Sequence, residues 1–240
     1  MKKLFALLLL PSIAFAGKIG ENYVGVGSGF IKQSLDIRTT PSNLSWDSEY
    51  DGWAFSFGVN FNLAAPSNER SWGTDVSFSY TTADLEPNSE AINYVTAVNA
   101  ALGIPNSNNN PQKDLEVTSF TGTLTPFVML GDGKLFASLG FGRSEMDDSK
   151  ETGLLLGAGY QATFDKLTLT PSITHTSLDN DLSDSFSYGI EISYELTKTL
   201  DLILGYSHSE SDKISYKINN ETVNIDPSAD VLAFGITYNF

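Results

Sequence analysis

The stretch "WAFSFGVNFNL", residues 53–63, puts Trp53, Phe55, Phe57, Val59, Phe61 and Leu63 at every second position, with Ala54, Ser56, Gly58, Asn60 and Asn62 between them. A helix would scatter these residues around its axis. A strand gathers the large apolar set on one face and the small or polar set on the other. The second face is too small and polar to be a core, so the aromatic face must meet apolar surroundings from outside.

The same alternation recurs along the chain. Leu154, Leu156, Ala158, Tyr160, Ala162 and Phe164 share a face, as do Leu167, Leu169, Pro171 and Ile173, and then Phe186, Tyr188, Ile190, Ile192, Tyr194 and Leu196. The chain closes on "DVLAFGITYNF", with Leu232, Phe234, Ile236, Tyr238 and Phe240 on one side. The spacing predicts strands near 23–35, 50–63, 72–83, 115–130, 134–146, 152–164, 167–178, 184–196, 199–210 and 230–240. These exceed the roughly 5–6 residues of a soluble strand and match the 9–11 that cross a bilayer at a tilt. Trp53, Phe61, Trp72, Tyr80, Phe164, Tyr194 and Tyr206 fall towards strand ends, as in an interfacial aromatic belt.

The links alternate in length. "GDG" (131–133), "DK" (165–166) and "TK" (197–198) are tight, and "AAPSNERS" (64–71) is somewhat longer. The links around 36–49, 84–114, 147–151, 179–183 and 211–229 are generally longer and richer in acids. Short turns at one end and long loops at the other describe an antiparallel meander. Closing that meander pairs every backbone group inside a bilayer and removes the edge. The predicted fold is therefore all-β: a closed antiparallel up-and-down transmembrane β-barrel of about ten strands, with eight as the alternative. It has short periplasmic turns and long acidic extracellular loops.

"MKKLFALLLLPSIAFA", residues 1–16, has the basic start, apolar run and Ala-x-Ala site of a secretory signal peptide, with Gly17 as the expected mature N-terminus. Residues 17–240 then form the barrel. The chain holds 14 Lys+Arg against 29 Asp+Glu, and without Lys2 and Lys3 it holds 12 against 29, a formal −17. That balance argues against nucleic acid as a partner. No cysteine is present, so disulfides and thiolate metal sites or nucleophiles are unavailable.

The signal peptide, the aromatic-ended "VLAFGITYNF" and the short-turn, long-loop meander resemble the small Gram-negative outer-membrane β-barrel superfamily of opacity-like and porin-like proteins. The resemblance implies residence in the outer membrane among lipid and lipopolysaccharide. It also implies that the C-terminal strand, with Phe234, Ile236, Tyr238 and Phe240, is the signal read by the barrel-assembly machinery.

If those outward residues face lipid, parity places Asp75, Glu191, Glu195 and Asp201 in the lumen with Asn60, Asn62 and Gln161, and central inward Lys or Arg is nearly absent. Eight strands are just filled by side chains, so ten lined by Gly, Ser and Thr leave room for a narrow wet passage that unpaired carboxylates would bias towards cations. The alternative is a closed hydrogen-bonded network. Two loops carry local patterns. "SEAINYVTAVNAALGIP" (89–105) has a helical period, with Ser89 as N-cap, Gly103 as C′ and Ile92, Val95 and Leu102 on one side. "DNDLSD" (179–184) lacks the glycine and terminal glutamate of a calcium loop and reads as an acidic turn. No metal or cofactor is expected.

Two enzyme patterns bear on the histidines. The Asp-x-His pair of omptin-type outer-membrane proteases is missing, since Ile173 and Tyr206 stand two before His175 and His208. "THTSLDND" resembles the His-x-Ser dyad of the outer-membrane lipid A 3-O-deacylase. That resemblance implies His175 and Ser177 at the outer rim, with Asp184 as the orienting acid. Leu178 stands where that family has Asn, the acid would be Asp rather than Glu, and the chain has about two strands too many. The sequence reading is thus a non-enzymatic barrel, a porin-like passage or a surface-exposed structural or interaction protein, with the rim esterase as the alternative.

Overall fold

The computed structural model describes residues 17–40, 43, 45–67, 70–87, 114–146, 149–178, 184–218 and 221–240. The strands are β1 (Tyr23–Thr40), β2 (Ser45–Ala64), β3 (Trp72–Pro87), β4 (Leu115–Leu130), β5 (Gly133–Met146), β6 (Ser149–Phe164), β7 (Leu167–Leu178), β8 (Ser185–Thr197), β9 (Leu200–Ser211), β10 (Ile214–Ile218) and β11 (Glu221–Asn239). Consecutive strands pair antiparallel from β1 to β9, β9 pairs with β11, and β11 pairs with β1 from Tyr23↔Asn239 to Thr40↔Thr222. Ten strands therefore close the barrel, and the eight-strand alternative falls away. The short β10 pairs with Glu221–Ile225, past the end of the β9 pairing at Ser228, and continues that part of the wall outward.

Alternation decides which way each strand faces. On β2 Trp53, Phe55, Phe57, Phe61 and Leu63 are exposed and Val59 is half-buried, while Ala54, Ser56 and Asn60 are buried. The final strand repeats this: Leu232, Phe234, Ile236, Tyr238 and Phe240 are exposed, and Val231, Ala233 and Thr237 are buried. A broad apolar band facing outward and a small, polar interior are what a bilayer requires of a closed sheet. The last residue is held too, since the Phe240 N–H donates to the Asn22 carbonyl at 3.1 Å.

The strands run further outward than their hydrophobic pattern predicts. Residues 36–40, 45–49, 214–218 and 221–229, read from sequence as loop, are strand. The reason is a reversal of polarity along single strands. β1 shows Val26 and Phe30 outward and glycines inward, then turns Ile31, Leu35 and Ile37 inward with Lys32 and Arg38 on the outer side. β11 does the same in reverse, with Val223, Ile225 and Val231 buried before the exposed Leu232 and Phe234. Past the bilayer, water lies outside the wall, so the outer face becomes charged and the apolar residues move inside. Those inward residues join Tyr50, Leu85, Leu115 and Val117 in one buried aliphatic cluster that fills the outer end on the β11, β1–β4 side. The patterns at 89–105 and 179–183 lie outside the described residues.

Candidate functional site

The six residues before β1, Gly17–Asn22 ("GKIGEN"), carry two glycines, one cation and one anion. They bend back at a turn in which the Glu21 N–H donates to the Lys18 carbonyl at 3.2 Å. Gly20 sits at φ +85°, a conformation glycine takes at no steric cost, and a Cβ there would lie 3.0 Å from the buried Phe127 ring. The bend sends the segment into the lumen at the short-turn end.

There it meets the residues that parity places inside. Asp201 and Glu195 face each other across the β8–β9 turn, and Lys18 Nζ reaches both, at 3.4 and 3.2 Å. The Gly20 N–H donates to Asp75 at 2.6 Å, and Asn62 Nδ2 donates to the other oxygen of the same carboxylate at 2.7 Å. The Ile19 N–H donates to Gln161 Oε1 at 3.1 Å, while the Ile19 carbonyl accepts from Lys134. Asn60 and Asn62 bind the Glu21 carbonyl and the Asn22 side chain at 2.7 and 2.8 Å. Asp75 and Asp201 are almost fully buried. Burying such carboxylates without partners would cost several kcal/mol each, so these contacts are the condition for the segment to sit there.

The charge state follows from the geometry. Burial pulls the Lys18 ammonium down, but Glu195, Asp201 and Glu21 outweigh it and hold the lysine above its ordinary value. Burial pushes the Glu21 carboxyl up, against the smaller pull of Lys18 and Lys134. Of the four carboxylates assigned to the lumen by parity, Glu195 and Asp201 meet Lys18 and Asp75 meets the Gly20 N–H, partners that parity does not supply. The one signal in the sequence is Lys18, the single cation of this segment.

Above the segment lies a cavity of about 250 Å³ whose walls include Gly17, Tyr23 and Glu191. Its lining is rich in hydroxyls, among them Thr170, Ser172, Thr174 and Thr176 of β7 and Ser185 and Ser187 of β8. Several bond across strands: Ser77 to Thr123 at 2.5 Å, Thr125 to Ser138 at 3.0 Å, and Gln161 Nε2 to Thr170 at 3.2 Å. This polar track climbs β7 and β8 towards the outer end, opposite the aliphatic cluster.

At the outer rim, His175 and Asp184 come together, Nε2 to Oδ2 at 3.4 Å, with both side chains near half exposed. A small cleft there is walled by His175, Asp184, Phe186, Glu210 and Asp212. Ser177 lies two residues along β7 and is not part of that wall. His208 has partners the sequence did not suggest. Its Nδ1 is 2.9 Å from Asp230, brought opposite by the β9–β11 register, and its Nε2 is 3.3 Å from Glu210. Tyr206 donates to the same Asp230 at 2.7 Å. His208 and Asp230 thus pair between two strands, on the outer face.

The model of the outer membrane protein beta-barrel domain family matches residues 4–240. Among solved structures, the outer membrane protease OmpT from Escherichia coli is similar with TM-score 0.54 and 9% identity, over 92% of this chain and 98% of that one. An outer membrane channel from Pseudomonas putida F1 is similar with TM-score 0.51 and 11% identity, over 93% and 97%. At such identities the likeness speaks for the fold alone. No curated protein is significantly similar to the chain in sequence.

Proposed function

Because the chain belongs to the outer membrane protein beta-barrel domain family, we propose that it forms a narrow, cation-preferring passage through the outer membrane, closed at its periplasmic mouth by residues 17–22. The observation that carries this reading is the way the lumen carboxylates are satisfied. Asp75, Glu195 and Asp201 are held in large part by the N-terminal segment. Withdrawing that segment leaves a hydroxyl-lined wall with four inward carboxylates, including Glu191, against Lys134. Rings of carboxylates select cations. The exposed face of Phe234, Ile236, Tyr238 and Phe240 supports the reading of the last strand as the assembly-machinery signal, and the acidic outer end suits lipopolysaccharide bridged by divalent cations. Residues 1–16 act as the export signal.

Planar-bilayer recording tests the passage. The chain starting at Gly17 is expected to show small or rare openings, and the chain starting at Tyr23 larger, steady, cation-selective currents. Glu191→Gln with Glu195→Gln in the shortened chain is expected to remove most of the selectivity. Silent bilayers with a shortened chain that is inserted and heat-modifiable on gels would refute the passage.

The contact between His175 and Asp184 keeps a second reading in play, an esterase of the lipid A 3-O-deacylase kind at the rim. It needs Ser177 as nucleophile, and no hydrogen bond joins Ser177 to His175 among the described residues. The expected result is an unchanged lipid A acylation pattern by mass spectrometry when the protein is expressed. Loss of one ester-linked acyl chain, abolished by Ser177→Ala, would establish the enzyme instead.

A further inference from the structure

The outer half of the lumen has two unlike sides. On β11 and β1–β4 the inward residues are aliphatic, and Ile31, Leu85, Val117 and Ile225 are almost fully buried against one another. On β5–β9 they are small or carry hydroxyls, and Thr174, Ser187 and Ser207 line the cavity there with Glu191. The outer end of this polar side holds a further inward carboxylate. Glu151 of β6 pairs with Ser144 of β5, which pairs with Ser119 of the cavity wall. Both serines are buried, and residues directly opposite in a sheet share a face, so Glu151 points inward with them. The adjacent pair confirms the phase, since Lys150 and Glu145 meet on the outer face at 3.2 Å. One Glu151 carboxylate oxygen is buried and has no hydrogen-bond partner among the described residues. The alternation read from sequence starts β6 at residue 152 and so leaves this acid out.

We propose that the passage opens to the outside off the barrel axis, over β5–β9, with Glu151 as the residue that sets the charge of its outer opening. A hydrated ion cannot follow the aliphatic side, because leaving its water for methyl groups is far too costly. Serine and threonine hydroxyls both donate and accept, so the opposite wall replaces lost hydration at each step. A carboxylate with an oxygen free of protein partners at the end of that wall draws cations to the opening. A cation entering from outside then meets Glu151 first and Glu191 deeper, with hydroxyls between them. This route rests on the reading of the lumen as a passage, but its wet wall and its charge can be measured without any current.

The chain has no cysteine, so single cysteines report the route. Ser187→Cys and Ser207→Cys mark the polar side, Val117→Cys and Ile225→Cys the aliphatic side, each in the chain starting at Gly17. Barrels whose heat-modifiable gel shift shows them folded are treated in phosphatidylcholine vesicles with a trimethylammonium or a sulfonate methanethiosulfonate reagent, and labelling is followed by mass spectrometry. Expected is labelling at least about tenfold faster on the polar side, because buried thiols in apolar surroundings are inert. At Ser187→Cys the cationic reagent should be favoured over the anionic one, and Glu151→Gln should cut that ratio by about threefold or more. Glu151→Lys should lower it further and serves if Glu151→Gln does not fold. Equal labelling of the two sides, no labelling of the polar side, or a ratio indifferent to Glu151 would each overturn the proposal. Silent bilayers with the expected labelling would refute the passage and leave the wet outer route standing, whereas currents with equal labelling would keep the passage and overturn the off-axis route.

Discussion

Leu85→Asp is expected to unravel the outer end of the barrel while leaving the bilayer-spanning part folded. Leu85 is fully buried in the aliphatic cluster and lies against Gly52, where a Cβ would stand 2.8 Å from its Cδ2. Its register partners are Gly52 and Leu115, and the cluster around it is Ile31, Ile37, Val117 and Ile225. A carboxylate there loses the leucine's burial and gains no partner, which costs about 3 kcal/mol or more. The neighbouring outward change Glu86→Leu is expected to stay within about 0.5 kcal/mol, because that side chain meets solvent. Limited proteolysis reads the difference: Leu85→Asp exposes cleavage sites in the extensions of β1, β2 and β11, whereas the heat-modifiable gel shift of the barrel persists. A proteolytic pattern equal to wild type would mean that the cluster is wet and the extensions are not held by it.

That cluster marks where sequence reading stopped working, and why. Within the bilayer the rule is apolar outside and small or polar inside. Trp53–Leu63 and Leu232–Phe240 obey it so strictly that strand, facing and lumen residues follow directly. Beyond the band the rule inverts without a break in the strand. Asp36, Arg38, Asp47 and Asp226 then read as loop residues, although Ile31, Leu35 and Ile37 keep the period of two with the opposite phase. A search for alternation in either phase would have found the extensions. Parity alone assigns Asp75, Glu191, Glu195 and Asp201 to the lumen. Their partners were not, because "GKIGEN" has no period and its placement depends on contacts such as Lys18 to Asp201, 183 residues apart in sequence. The pairing of His208 with Asp230 was hidden for the same reason, being a product of register between strands.

Lys18→Met should give the largest change in the state of the mouth, and its cause can be separated from mere loss of bulk. Removing the ammonium leaves Glu195 and the fully buried Asp201 facing each other with no cation between them. Breaking a buried pair from one side costs about 3–5 kcal/mol, which shifts a seated-to-released equilibrium by roughly 10²- to 10⁴-fold. The barrel has a cheaper escape than unfolding, since the segment can leave and let water reach both carboxylates. Open time in planar bilayers should therefore rise while thermal stability changes little. Salt should mimic the substitution only weakly, because the pair is largely shielded from solvent. High pH should mimic it well. The Lys18 pKa is raised in the folded protein, so its contribution is complete below the ordinary 10.5 and is lost as pH climbs through the higher folded value. The triple change Lys18→Met, Glu195→Gln, Asp201→Asn removes the ammonium and the two carboxylates it bridges and keeps the shapes, and it should close the mouth again. Continued opening in the triple variant would show that Lys18 holds the segment by packing or by its other contacts, and the electrostatic account of the plug would fail.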